Sequence, residues 1–352
     1  MENVTRIQKE TTDDKIAFAL EATGHYINNI LLFLDSLGFS VRVFNPLATN
    51  LFRKSLFLRK TKTDKIDSKA IALMILTNHE GKFFSRIELM DDLKQCTRHR
   101  QRLGDRLSQE KVQFSRITEI MFPELASSVW SVNQKSVYEL LKAYTSIKKI
   151  AKAHLSTLTT VLKTSSRVKY GQVKAAEIRE LAKNSIGTAS IGYLIELISI
   201  IETIEHFSKQ IQIIDNEIKE IMLQLSSPIL SIPGISFRLG SVILSETKNI
   251  NYFTSPFKLL AFAGLDTSIY ESGQFSGNGR MVKRGSKYLR WALLQTARLV
   301  SMRCSVFHEY LQKKLNEGKH YFVALSHVAK KLIRVIFQLL KTNTHFDLDK
   351  SL

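Results

Sequence analysis

The chain has 352 residues, enough for two or three domains with a sizeable core. Lys and Arg number 51 against 32 Asp and Glu, a formal net charge of +19, and a surplus of that size points to a polyanionic partner, nucleic acid before a membrane surface. No apolar run approaches the ~18 residues of a membrane span, Met1-Glu2-Asn3 opens a polar stretch unlike a signal peptide, and the two cysteines, Cys96 and Cys304, lack metal or redox spacing, which fits a reducing cytoplasm.

Residues 1–15 are polar and carry no periodicity. Lys15 to Leu20 reads as a buried strand ending at Glu21, and 25–37 as an amphipathic helix stopped by Gly38. Ser40-Val41-Arg42-Val43-Phe44 alternates like a strand and ends at Asn45-Pro46. Helical patterns follow at 47–57 and 62–78. Strand, helix, strand, helix is an α/β signature with a right-handed crossover. Within it lies the run Arg59-Lys60-Thr61-Lys62-Thr63-Asp64-Lys65-Ile66-Asp67. Asp64 and Asp67 are close to one helical turn apart and share a face. Two acids among cations suit a divalent metal beside a phosphate backbone; they equally suit a solvated helix start with Asp64 near the cap.

From Glu88 to Phe122 one long helix is expected, stopped near Pro123. Leu89, Leu93, Cys96, Leu103, Leu107, Val112, Phe114 and Ile117 give it a partner-facing seam. Lys94, Arg98, Arg100, Arg102, Arg106, Lys111 and Arg116 form either a solvated coiled-coil face or a face for RNA or DNA. Residues 134–226 continue as helices. Ile229 to Ile235, with Pro233-Gly234, resembles the hairpin of a helix–hairpin–helix element, whose turn offers backbone N–H groups to phosphate. Helices are expected at 237–247 and 255–263. Glu271 to Arg280, with three glycines, reads as a flexible loop that can approach a backbone closely. A helix to about 302 follows, and a last one at 320–341 carries His327, Lys330, Lys331 and Arg334 on its polar face.

Glu21-Ala22-Thr23-Gly24-His25-Tyr26, Asn45-Pro46 and Lys60 to Asp67 resemble the N-terminal domain of the four-carboxylate (Asp-Glu-Asp-Asp) insertion-sequence transposases, the bridge-RNA-guided recombinases. Pro233-Gly234, Phe253, Gly264-Leu265, Ser272-Gly273, Lys283-Arg284-Gly285 and Leu289-Arg290 resemble their C-terminal domain. The resemblance spans roughly 16–341. It implies a RuvC-like, ribonuclease H-like domain at 1–85, a helical coiled-coil region at 86–225 and a serine-containing transposase domain at 226–345. It implies Glu21, Asp64 and Asp67 as the second, third and fourth acids, binding Mg²⁺ near the scissile phosphate, and Ser272 as the nucleophile that links covalently to DNA. Arg59, Lys60, Lys62, Arg280, Lys283, Arg284 and Arg290 would meet nucleic acid. The implied partners are DNA, a guide RNA and further copies of the chain, in the cytoplasm and off the membrane. The first acid of the family has no counterpart upstream of Glu21, because Asp13 and Asp14 immediately precede its strand. The sequence therefore reads as an N-terminally truncated copy with impaired strand transfer. The alternatives are a non-catalytic nucleic-acid-binding remnant and a resolvase-type metal-dependent nuclease.

Overall fold

The computed structural model describes residues 16–56, 63–77, 88–188, 190–268, 279 and 281–348, with 82–83, 271–272 and 275–276 as backbone. Two units make up the chain, Met1–Asp91 and Asp92–Leu352.

The first unit is built on a strand–helix–strand crossover. β1 (Ala17–Glu21) and β2 (Ser40–Phe44) pair in parallel, Ala17 opposite Ser40 and Glu21 opposite Phe44, with α1 (Asn28–Ser36) between them in sequence. The short β3 (Lys82–Phe83) joins antiparallel to β2, giving the order β1-β2-β3. Side chains alternate along a strand. Phe18 and Leu20 of β1 and Val41 and Val43 of β2 pack with Leu31 and Leu34 of α1. The Phe18 ring meets Phe39 edge-on at 4.9 Å. Glu21 belongs by the same alternation to the opposite face; α3 (Asp64–Leu76) packs on β1 and α2 (Pro46–Leu56) packs on α3. Phe44, Thr49, Ala70 and Met74 are buried in this unit.

The second unit contains two very long helices, α4 (Glu88–Met121) and α10 (Ile191–Leu225). Arg100 pairs with Asp215 and Arg116 with Glu196, so the two run antiparallel. Between them the chain folds into five short helices: α5 (Leu125–Ser128), α6 (Lys135–Ala143), α7 (Ile147–Lys152), α8 (Leu155–Ser165) and α9 (Gln172–Lys183). They share one core with the adjoining ends of the long pair, from Phe114, Ile117 and Met121 on α4 to Leu197 and Ile201 on α10.

At the other end of the long pair the C-terminal helices assemble. They are α11 (Phe237–Thr247), α12 (Pro256–Ala263), α13 (Lys287–Arg303), α14 (Ser305–Asn316) and α15 (Tyr321–Thr342). Between the expected helices ending near 302 and starting near 320 the sequence suggested no particular element. There Cys304, extended and buried, separates α13 from α14, and the two helices bury Val300, Phe307 and Leu311. α15 buries one full stripe, from Ala324 through Val328, Leu332 and Ile336 to Leu339, the spacing of an amphipathic helix. Among the described residues no helix is long and apolar enough to cross a membrane.

Candidate active site

Local chemistry fixes the elements that carry the N-terminal acids. β1 ends at Glu21, whose carbonyl accepts from the Thr23 amide at 2.8 Å as the chain turns away. Asn45 caps α2: its Oδ1 accepts from the Leu47 amide at 2.9 Å, and Pro46 takes the first helical position, where no amide is needed. That start sets Thr49, Asn50 and Arg53 on one side of α2. Thr63 caps α3, accepting from the Ile66 amide, and Asp64 and Asp67 lie in its first turn, where the helix dipole favours negative charge.

These elements enclose a cavity of about 390 Å³ lined by Glu21, Pro46, Thr49, Asn50, Arg53, Asp67 and Ala70. The strand-end glutamate and the helix aspartate therefore meet at one site. The Arg53 Nε lies 3.3 Å from Asp67 Oδ1, and its Nη2 donates to Asn50 Oδ1 at 2.9 Å. Asp64 is exposed and is not among the lining residues. Of the three expected carboxylates, Glu21 and Asp67 line this cavity and Asp64 lies outside the lining. Three residues along a helix bring two side chains to one face but separate them by about 4.5 Å along the axis, and Asp64 sits at the open end of α3. Among the described residues no three His, Cys, Asp or Glu side chains gather to hold an ion by themselves. Two carboxylates with a neighbouring amide and hydroxyl nevertheless fit Mg²⁺, which commonly takes one or two carboxylates and completes its shell with water and substrate phosphate. Arg53, Asn50 and Thr49 were missed from the sequence. The Asn45-Pro46 cap, which fixes their phase on α2, was the available signal. Arg59, Lys60 and Lys62 lie outside the described residues.

In the second unit, the expected flexible loop contains a small hairpin. β4 (Glu271–Ser272) pairs antiparallel with β5 (Phe275–Ser276), Ser272 opposite Phe275 and Glu271 opposite Ser276. A bridge between Thr267 and Met281 lies farther out along the two flanking segments. Gly273, Gly277, Asn278 and Arg280 are outside the described residues.

The motif residues that follow form a structural knot. Gly264, with φ +66°, ends α12, and a Cβ there would meet the Arg284 carbonyl oxygen at 2.1 Å. Gly285, with φ +97°, would likewise place a Cβ 2.1 Å from the Phe262 carbonyl oxygen. Both positions need glycine for conformation and for close approach. Arg290 Nη1 donates to the carbonyls of Ala263 and Lys283 at 3.3 and 3.1 Å. Its Nη1 thus helps to close the C-terminal end of α12. Lys283 and Arg284 are exposed. At the Pro233-Gly234 turn the Ile235 amide donates to the Ile232 carbonyl at 3.0 Å.

Glu246, at the end of α11, is the buried acid of this unit, its side chain 1% exposed. It takes a bidentate pair of hydrogen bonds from Arg98 (2.7 and 3.0 Å), lies 3.8 Å from the Lys94 ammonium and accepts from Ser286 at 2.8 Å. Burial pushes its carboxyl upward, but the Arg98 hydrogen bonds, the Lys94 and Arg98 charges and the Ser286 hydroxyl outweigh it and hold the group below the usual glutamate value. Ser286 also caps α13, accepting from the Leu289 amide. Lys94, Arg98, Arg100 and Arg116 of the basic α4 series are therefore paired with acids.

A depressed carboxyl stabilises the fold fully above the ordinary glutamate pKa of about 4.3, and that contribution disappears as pH falls through the lower folded value. Arg98→Met removes the main compensation and leaves a buried carboxylate. It is expected to cost about 2–3 kcal/mol at neutral pH, and, because the folded-state value of Glu246 then rises towards or past the unfolded one, the gap between variant and parent should narrow as pH falls. Urea unfolding of both proteins between pH 3 and 7 checks this.

Residues 3–123 match the family model DEDD_Tnp_IS110, described as a transposase, and residues 226–312 match one described as "Transposase IS116/IS110/IS902 family". This chain belongs to that transposase family. The transposase is 22% identical to the "Insertion element IS116 uncharacterized 44.8 kDa protein" of Streptomyces clavuligerus, over 97% of this chain and 87% of that one. It is 32% identical to the "Insertion element IS900 uncharacterized 42 kDa protein" of Mycobacterium paratuberculosis, over 32% of this chain and 29% of that one. Against the "Insertion element IS110 uncharacterized 43.6 kDa protein" of Streptomyces coelicolor the identity is 25%, over 34% of this transposase and 30% of that protein.

Proposed function

We propose that this transposase cuts and rejoins DNA at the ends of an insertion sequence, with the RuvC-like first unit supplying the metal-dependent part. The observation that carries the reading is the cavity where Glu21 and Asp67 meet beside Arg53. Glu21 and Asp67 are the residues that would hold Mg²⁺, with Asp64 contributing from the open end of its helix. When bound, the ion would neutralise phosphoryl charge and lower the pKa of an oxygen nucleophile. Arg53 is placed to add a second positive group against the phosphoryl oxygens.

Ser272 acts as the covalent nucleophile in this reading. Its Oγ bonds to phosphorus, the bond to a deoxyribose oxygen breaks, and the serine proton ends on that leaving oxygen. The reverse step rejoins the strand. Lys283 and Arg284, exposed beyond the hairpin, supply phosphate contacts. The net charge of +19 suits two polyanions, the DNA and a guide RNA, and more than one copy of the chain would act together at paired ends.

The test is cleavage of DNA carrying the element's end and its guide RNA by the whole chain. Cleavage in Mg²⁺ that stops with chelator and returns with added Mg²⁺ supports the reading. Equal cleavage in excess chelator overturns it.

A further inference from the structure

A second cavity, of about 560 Å³, lies among the short helices between α4 and α10, where the catalytic reading assigns nothing. Trp130, Lys135, Ser165, Arg167, Lys169 and Tyr170 line it. Trp130 is 95% exposed. A side chain of that size ordinarily covers much of its surface, and nothing in the adjoining core claims it. Three cations and no acid face the cavity.

Part of the lining is a strained loop. Arg167 and Val168 both have left-handed backbones, with φ of 53° and 69°. For a β-branched valine that is a rare conformation, the kind retained where surrounding structure enforces it. Here the enforcement is visible. The Val168 amide donates to the Lys163 carbonyl at 2.9 Å, the Tyr170 amide to Ser166 Oγ at 2.9 Å, and Gln134 Nε2 to the Tyr170 hydroxyl at 2.9 Å. The loop thus holds Arg167, Lys169 and Tyr170 around a preformed space.

We propose that this cavity binds one unpaired nucleotide of a single-stranded nucleic acid, its base stacked on Trp130 and its phosphates among Lys135, Arg167 and Lys169. An exposed indole beside a cationic groove is the combination that holds single strands, because every base has a stacking face and every linkage a negative charge. A duplex hides its base faces and cannot use the indole. A second copy of the chain is the weaker occupant. A two-fold contact would set the same three cations against themselves. The proposal takes from the function above only that the polyanion is nucleic acid, and its site is separate from Glu21 and Asp67.

The experiment uses the full chain with a labelled twelve-nucleotide oligothymidylate and a duplex of equal length. A Trp291→Phe background leaves Trp130 as the sole indole reporter, since the chain has two tryptophans. The single strand is expected to quench Trp130 emission and the duplex is not. Trp130→Ala should weaken the single strand about tenfold, the scale of one lost base stack, with duplex affinity unchanged within about twofold. Trp130→Phe should keep most of the affinity. Arg167→Ala should lower the salt slope for the single strand by about one ion. Asp67→Asn should bind the oligonucleotide like the parent, so failure of the catalytic reading would leave this result standing. Undiminished single-strand affinity in Trp130→Ala overturns the proposal. So does a loss of oligomeric state in Trp130→Ala with single-strand affinity intact, which would make the face a contact between copies.

Discussion

Asp67→Asn and Glu21→Gln are each expected to lower DNA strand cleavage in Mg²⁺ by about a thousandfold, while DNA affinity at moderate salt changes less than about threefold. Both substitutions keep shape and remove one negative charge from the cavity they share. A bound ion contributes several kcal/mol of charge stabilisation in the transition state, and about 4 kcal/mol is roughly a thousandfold in rate. Binding is spread over many lysines and arginines and barely feels one carboxylate. Cation binding offers a readout that does not depend on turnover: Mn²⁺ titration should show at least a roughly tenfold weaker site in either variant, since the site has few protein oxygens to lose. Asp64→Asn is the internal comparison. Asp64 lies outside the cavity lining, so a smaller effect on Mn²⁺ binding is expected there. Parent-like cleavage and Mn²⁺ affinity in Asp67→Asn would remove the carboxylate pair from the mechanism. The check pairs a denaturing-gel cleavage assay with equilibrium Mn²⁺ binding.

Ser272→Ala is expected to abolish covalent protein–DNA adducts and leave nucleic-acid affinity nearly unchanged. The hydroxyl is the attacking atom in the proposed reaction, and alanine cannot replace it. Two neighbouring serines are natural rivals, and their positions differ. Ser276 stands in the partner strand of the same hairpin, opposite Glu271. The Ser286 hydroxyl is already engaged, donating to Glu246 and accepting from the Leu289 amide at the start of α13. Ser286→Ala should therefore appear as lost stability, about 1 kcal/mol for a helix cap, with adducts still formed by the folded fraction. Trapping the adduct on labelled DNA and resolving it on a denaturing gel separates the cases. Adducts that persist in Ser272→Ala and vanish in Ser276→Ala would move the nucleophile across the hairpin.

Helices with strong punctuation were legible in the sequence to within a few residues. Expected bounds of 88–122, 237–247 and 320–341 compare with Glu88–Met121, Phe237–Thr247 and Tyr321–Thr342. In each, a sustained apolar stripe coincides with a stop signal or a cap. The alternating Ser40–Phe44 strand was legible for the same reason. Residues 134–226 were read only as a run of helices, and the bounds of the short helices α5 to α9 were not legible, because each is only one to about three turns long and their shared core is set by contacts distant in sequence. The hairpin at Glu271–Ser276 was hidden by glycine, which reads as flexibility whether or not strands pair. Of the site, the phase of Asp67 and the strand-end place of Glu21 were legible. Arg53 was not, since nothing in a helix's own pattern reveals which acid of another helix its cation will meet. Arg290 is a further case: its basic motif suggested phosphate, and the pattern gave no sign that Nη1 also donates to the carbonyls of Ala263 and Lys283.

The antiparallel pair α4 and α10 also acts as a ruler. From Leu93, buried near the Glu246 cluster, to Met121, in the core of the short helices, α4 runs 28 residues. At 1.5 Å per residue this is a rigid span of about 42 Å, the length of about twelve base pairs at 3.4 Å each. Ion pairs at both Arg100–Asp215 and Arg116–Glu196 resist sliding of one helix along the other. A nucleic acid held at both ends of this unit would be gauged by that fixed span. Adding seven residues to each helix would lengthen the span by about 10 Å, or about three base pairs.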